Sequence, residues 1–152
     1  MDSNKKDKRY SRLYDQIKTV TEKTDDKLAH MSTIAAILYH KMDDFFWCGF
    51  YRLLPNGKLT VGPYQGPVAC QELEKDKGVC WAGINSGESI IVDDVEKFPG
   101  HIACDSRSKS EIVIPIKDKN GTTIAVLDVD SKDYNSFNDI DRKWLEQIVN
   151  LI

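Results

Sequence analysis

Between Glu111 and Asp130 the chain reads as two runs of alternating residues around an Asn-Gly pair, a pattern that leaves a polypeptide little conformational choice. Glu111 to Lys117 and Thr122 to Asp130 have the period of extended strands, and Asp118 to Gly121 joins them through Asn120-Gly121, residues that readily take the positive φ of a tight antiparallel turn. Successive side chains on a strand face opposite ways. Glu111, Val113 and Pro115 therefore share one face and Ile112, Ile114 and Ile116 the other; on the returning strand Val126, Asp128 and Asp130 lie opposite Ala125, Leu127 and Val129. The aliphatic face has to be covered. The other face brings acids to where they can converge.

A second hairpin is expected upstream. From Phe45 onward, Phe46, Cys48 and Phe50 alternate with Trp47, Gly49, Tyr51 and Leu53, as in a strand covered on both faces, and Pro55-Asn56-Gly57 turns it into Leu59 to Pro63. Helical spacing brackets these strands. Tyr10, Leu13, Tyr14, Ile17 and Val20 recur every three or four residues, and a second helix starting near Asp25 and Asp26 carries Leu28, Met31, Ile34, Ala35, Leu38 and Met42 on one stripe. Val79 to Ser86 suits a short helix stopped by Gly87, followed by a strand at Ser89 to Asp93. A last helix, capped near Asn138 or Asp139, packs through Ile140, Trp144, Leu145, Ile148 and Leu151. Two stretches lack a period: Tyr64 to Gly78, which holds Cys70, and Asp94 to Ser110, which holds Cys104. The fold class is α+β, a central antiparallel sheet with helices on one face, and 152 residues without repeat or linker fit a single domain, 1–152.

Composition narrows the function. A net charge of −3 and a pI near 5.6 supply no basic surface for a phosphate backbone, so no nucleic-acid partner is expected. Apolar runs such as Ile112 to Ile116 and Ile124 to Leu127 are far shorter than the roughly 20 residues that cross a bilayer. Met1 to Arg9 is polar and charged, with no apolar signal core behind it, so a cytoplasmic protein with no membrane contact is expected. In a reducing compartment the four cysteines, Cys48, Cys70, Cys80 and Cys104, are packing residues, metal ligands or reactive thiols rather than structural disulfides.

A metal site is not expected, because no Cys-x-x-Cys occurs and His101 with Cys104 is the only close pairing of ligand types. Cys70, Cys80 and Cys104 are separated by ten and then twenty-four residues, and their loops could still meet over one pocket. Cys104 has His101, Arg107 and Lys109 around it, and positive charge favours a thiolate; a cysteine filling a gap beneath the loop is an equally good account of its position. Glu111, Asp128 and Asp130, if buried together, call for a bound cation such as an ammonium group or for proton transfer, whereas singly they would be strand residues facing water. Trp47 and Tyr51 flank Gly49 on one strand face, which suggests an aromatic-walled hollow above the glycine, with ordinary core packing as the alternative. Cys48 points the other way and belongs to the core.

Several longer strings are distinctive: Trp47-Cys48-Gly49-Phe50-Tyr51, Gly62-Pro63-Tyr64-Gln65-Gly66, Ala69-Cys70, Gly78-Val79-Cys80, Gly100-His101-Ile102-Ala103-Cys104-Asp105, Ser108-Lys109-Ser110-Glu111-Ile112 and Val126-Leu127-Asp128-Val129-Asp130-Ser131. On these, the chain from about Asp15 to Ile152 resembles the free methionine-R-sulfoxide reductases of the GAF-domain superfamily. The resemblance implies a GAF-like fold, with the N- and C-terminal helices packed on one sheet face and the pocket loops on the other. It also implies reduction of free methionine (R)-sulfoxide without a bound cofactor. By the same resemblance Cys104 is the nucleophile that becomes a sulfenic acid, Cys70 the main resolving thiol, and Cys80 a thiol that supports or replaces Cys70. Glu111, Asp128 and Asp130 match the acids that hold the substrate ammonium and assist protonation of the sulfoxide oxygen, and Trp47 and Tyr51 match the wall around the S-methyl group. Thioredoxin is the implied reductant and a homodimer, through the terminal helices, the expected assembly. The chain departs from the family pattern in two places: Trp81 stands where smaller residues are common, and Cys48 where cysteine is unusual. A GAF module that binds a small molecule and signals, or a sensor read out through its disulfide, is the competing class. The end of the sequence soon after its last helix leaves no room for an output domain, which argues against signalling within the chain.

Overall fold

A computed structural model describes residues 1–101 and 104–152. The first helix, α1 (Ser3–Thr21), starts where Asp2 accepts a hydrogen bond from the Lys5 N–H, and α2 (Lys27–Lys41) where Asp26 accepts from the Leu28 N–H. Each cap satisfies an N–H that the helix itself leaves without a partner. Tyr10, Leu13 and Ile17 of α1 and Met31, Ile34, Ala35 and Leu38 of α2 are buried. Val20 and Leu28 share the predicted stripes but are exposed and lie outside the core cluster.

The strands are β1 (Trp47–Leu53), β2 (Leu59–Gln65), β3 (Glu72–Leu73), β4 (Ile90–Val92), β5 (Ser110–Lys117) and β6 (Thr123–Ser131), ordered β3-β2-β1-β6-β5-β4 and antiparallel throughout. Both expected hairpins form, β1 with β2 and β5 with β6. The stretch Tyr64 to Gly78 is less irregular than its sequence suggests: β2 runs on to Gln65, and β3 adds an edge strand too short to show a period. A single helical turn, Val95–Lys97, interrupts the other irregular stretch. Residues 102 and 103, inside the Gly100–Asp105 string, lie outside the described residues.

Alternation along the central strands sorts side chains into two cores. Cys48, Phe50, Ile112, Ile114, Ile116, Ala125, Leu127 and Val129 pack beneath α1, α2 and the last helix, α4 (Asp139–Val149). Burying each aliphatic side chain is worth about 1.5–3 kcal/mol, enough in sum to impose the register. α4 begins at a capping box, with Asn138 accepting from the Ile140 N–H and Asp141 accepting from the Asn138 N–H. The buried Asp141 carboxylate also accepts from Lys6 Nζ at 2.8 Å and Tyr10 Oη at 2.6 Å, which ties α4 to α1.

On the opposite face Trp47, Tyr51, Val113 and Val126 meet Val79, Cys80 and Trp81 of α3 (Gly78–Ser86). This departs from the expectation that helices cover one face only. Gly83 explains how α3 sits so close, since a Cβ there would fall 2.7 Å from Val113 Cγ1. Gly87 ends α3 in the left-handed conformation at φ 67°, as its sequence position predicts. Among the described residues, no helix is long and apolar enough to cross a membrane.

Candidate active site

The antiparallel register assembles the site's floor. Asp130 pairs with Trp47 on one side and Glu111 on the other, while Asp128 pairs with Gly49 and Val113. The three acids expected to converge therefore do so, on the face away from α1 and α2. Glu111 is 6% and Asp128 5% exposed. The Oδ1 atom of Asp128 is buried and meets no hydrogen-bond donor.

Burial acts on these carboxyls together with their mutual repulsion. Glu111 is pushed well above the usual carboxylate range by burial, then by the charges of Asp128 and Asp130; Asp130 rises likewise through burial and the charges of Asp128 and Asp105. Asp128 is raised by burial too, but hydrogen bonding with Glu111 and the Cys80 thiol holds it down. Of the three, Asp128 is the one whose hydrogen bonds oppose the rise, so it gives up its proton most readily.

Aromatic rings form one wall. Trp47 stacks on Tyr51 and Tyr64, with ring centroids 5.8 and 5.2 Å apart. The hollow expected above Gly49 does not exist, because a Cβ at Gly49 would lie 2.8 Å from both the Trp47 ring and the Tyr64 Cα. Glycine is needed there for close packing rather than to leave space. The same aromatics hold the Cys70 loop by its backbone: Trp47 Nε1–H donates to the Pro67 carbonyl at 3.0 Å, and the Tyr51 hydroxyl to the Cys70 carbonyl at 3.1 Å. Farther along, Trp81 Nε1–H donates to the Leu73 carbonyl at 3.1 Å and so anchors the end of this loop. Gly66, at φ +124°, lets the loop leave β2 against the Phe46 carbonyl, 2.8 Å from where a Cβ would be.

Cys70 and Cys104 are joined in a disulfide, with Cα atoms 5.6 Å apart. Cys104 is exposed at the mouth of a small cavity of about 60 Å³. Trp47, Tyr51, Cys80, Glu111, Asp128 and Asp130 line the same cavity. Cys80, 4% exposed on the first turn of α3, lies against Asp128 and keeps its thiol proton through burial and the nearby acids. Cys48 lies in the other core, also as a free thiol.

Known proteins share this fold. The family model described as GAF domain matches residues 30–152. The free methionine-R-sulfoxide reductase of Saccharomyces cerevisiae is 40% identical over 131 residues, covering 82% of this chain and 73% of that protein. The chain belongs to the free methionine-R-sulfoxide reductase family, a branch of the GAF domains. It is accordingly an oxidoreductase with a GAF-like fold. GAF domain-containing protein A of Dictyostelium discoideum is 44% identical over 147 residues, 97% of this chain and 92% of that one. A crystal structure of the Neisseria meningitidis free methionine-R-sulfoxide reductase in complex with its substrate superposes with a TM-score of 0.89 at 35% identity, covering 93% of this chain and 84% of that one.

Within this member of the reductase family, several residues at the site were not singled out by sequence. Phe46 lines the cavity and carries the Arg107 guanidinium 4.9 Å from its ring centroid, with Lys132 Nζ on the ring at 5.4 Å. Arg107 also pairs with Asp105, holding that carboxyl down at about 2. The basic residues expected to activate Cys104 are thus committed elsewhere: Arg107 to Asp105 and Phe46, and Lys109 to the Tyr134 ring. His101 alone of the three shares the cavity with Cys104. Among the described residues, Cys80, Glu111 and Asp128 bring donor atoms within 4.8 Å of one another, a possible ligand set that spacing could not reveal because it is drawn from α3, β5 and β6.

Proposed function

We propose that this chain reduces free L-methionine (R)-S-oxide to L-methionine, as one GAF-like unit spanning residues 1–152. The observation that carries this is the Cys70–Cys104 disulfide at the mouth of a cavity floored by buried acids. A free amino acid brings an ammonium group, which matches the buried carboxyl of Asp128 and its unpartnered Oδ1. A methionine within a polypeptide lacks that cation and would leave the carboxylate buried and unpaired, the kind of mismatch that discriminates strongly between substrates. Selection of the free substrate follows.

In this mechanism Cys104 Sγ attacks the sulfoxide sulfur while an acid protonates the sulfoxide oxygen. The oxygen ends on Cys104 as a sulfenic acid, and methionine leaves with its sulfur reduced by two electrons. Asp130 is the fitting donor: it holds its proton, and it lies opposite Trp47, whose ring would receive the S-methyl group alongside Tyr51. Glu111 and Asp128 seat the ammonium. Cys70 then attacks the sulfenic sulfur, forming the disulfide and releasing water. Thioredoxin returns both thiols by exchange, and no bound cofactor takes part. Cys80, a buried free thiol in the cavity floor, serves as a reserve resolving thiol rather than the first one, because the disulfide already joins Cys70 to Cys104. A cytoplasmic setting and a homodimer built on the terminal helices complete the proposal.

The test uses substituted enzymes with two reductants. Cys104→Ser is expected to abolish turnover with either dithiol or thioredoxin; normal turnover would remove Cys104 from the mechanism. Cys70→Ser is expected to keep dithiol-driven and lose thioredoxin-driven reduction, and equal rates with both would remove its resolving role.

A further inference from the structure

The cavity floor has a property that sulfoxide reduction does not require. Cys80, Glu111 and Asp128 approach from α3, β5 and β6, with a sulfur and two carboxylate groups offering donor atoms within 4.8 Å of one another. In a tetrahedral zinc centre, Zn–O near 2.0 Å and Zn–S near 2.3 Å put neighbouring ligands about 3.3–3.6 Å apart. Rotamer adjustments of about 1 Å in the widest pair would close the set. A second observation points inward from the same place: Asp128 Oδ1 is buried and unpartnered. All three residues line the cavity, which gives an ion a path from the mouth.

We propose that Cys80, Glu111 and Asp128 form a binding site for a thiophilic divalent cation of the zinc type, one that blocks the cavity floor when occupied. A thiolate with two carboxylates favours Zn²⁺ or Cd²⁺ over Mg²⁺ and Ca²⁺, which prefer oxygen alone. Binding expels the Cys80 thiol proton and any carboxyl proton to solvent, and water fills the fourth position. The metal would use the carboxylates assigned above to the substrate ammonium, so competition with a free amino acid rests on that assignment, whereas metal binding itself does not.

Oxidised protein gives a clean test, because with Cys70 and Cys104 in their disulfide the free thiols are Cys48 and Cys80. Titration with Co²⁺ or Cd²⁺ is expected to produce a thiolate-to-metal charge-transfer band saturating at one equivalent. The band should survive Cys48→Ala, vanish in Cys80→Ser, and need about tenfold more metal in Glu111→Gln. No band in folded wild-type protein, or a band that persists in Cys80→Ser, would overturn the site. X-ray absorption of the wild-type zinc complex does not depend on variants folding; one sulfur in the first shell is expected, and an all-oxygen or nitrogen shell refutes it. Free L-methionine should displace the metal. A band unmoved by methionine would count against the ammonium seat while leaving the metal site standing, and normal sulfoxide turnover without any band would do the reverse.

Discussion

Gly49→Ala puts the packing of the aromatic wall to a quantitative test. The new Cβ would sit 2.8 Å from the Trp47 ring and 2.8 Å from the Tyr64 Cα. The second of these is backbone of the paired strand β2 and cannot swing aside. Overpacking of this kind costs about 1–3 kcal/mol, and backbone on one side argues for the upper part of the range. For a chain of 152 residues each kcal/mol lowers Tm by about 2–4 °C, so 2–3 kcal/mol becomes a fall of roughly 4–12 °C. Gly62→Ala is the matched control on β2: its Cβ would meet the Arg52 Nε at 3.0 Å, the far end of a long side chain, and backbone only at 3.4 Å. Its Tm should stay level or rise, since alanine narrows the unfolded ensemble by about 0.4–1 kcal/mol. Calorimetry of both variants, with KM for the sulfoxide, is the assay. Gly49→Ala should melt lower and bind substrate more weakly as Trp47 is displaced. Equal melting of the two variants would refute the claim that glycine is there for close approach.

Other outcomes follow from the same structure. Glu111 has a folded pKa above its unfolded value, so its contribution to stability is fully present below the unfolded pKa near 4.5 and is lost as pH rises through the folded pKa. Glu111→Gln should therefore be more stable than the parent in urea titrations at pH 7–8, lose that advantage near pH 4, and turn over poorly at either. Asp141→Asn leaves the Lys6 ammonium buried without its counter-charge and should cost about 3–5 kcal/mol, a Tm fall of roughly 6–20 °C by calorimetry. Tyr51→Phe keeps the ring but removes the donor to the Cys70 carbonyl, a bond worth about 1 kcal/mol. Quenched-flow mass analysis should find disulfide formation slowed about fivefold while formation of the Cys104 sulfenic acid is unchanged.

How much of the fold and site was legible in the sequence depended on whether the signal was local. The split of Glu111 from Ile112 and of Asp128 from Leu127 followed from strand period alone, and the two cores have that composition. Gly87 and Asn138 marked helix ends for reasons contained in one or two residues. Signals that need a partner across the fold were out of reach. The space over Gly49 is decided by Tyr64 in the register of β1 with β2, which alternation does not reveal. Arg107 and Lys109 lie near Cys104 in sequence, but their long side chains reach Asp105, Phe46 and Tyr134 instead. Cys70 and Cys80 could not be ranked by spacing. What separates them in the fold is that Tyr51 and Trp47 hold the Cys70 loop beside Cys104, while α3 seats Cys80 in the floor against Asp128.

The most direct measurement follows both epimers of the substrate. Purified protein is incubated with a dithiol and racemic free methionine sulfoxide, and the remainder is resolved by chiral chromatography. The (R)-epimer is expected to disappear with stoichiometric appearance of methionine while the (S)-epimer persists. Consumption of the (S)-epimer, or of neither, would contradict the roles of Cys104 as nucleophile and of the buried acids as the seat of the free substrate.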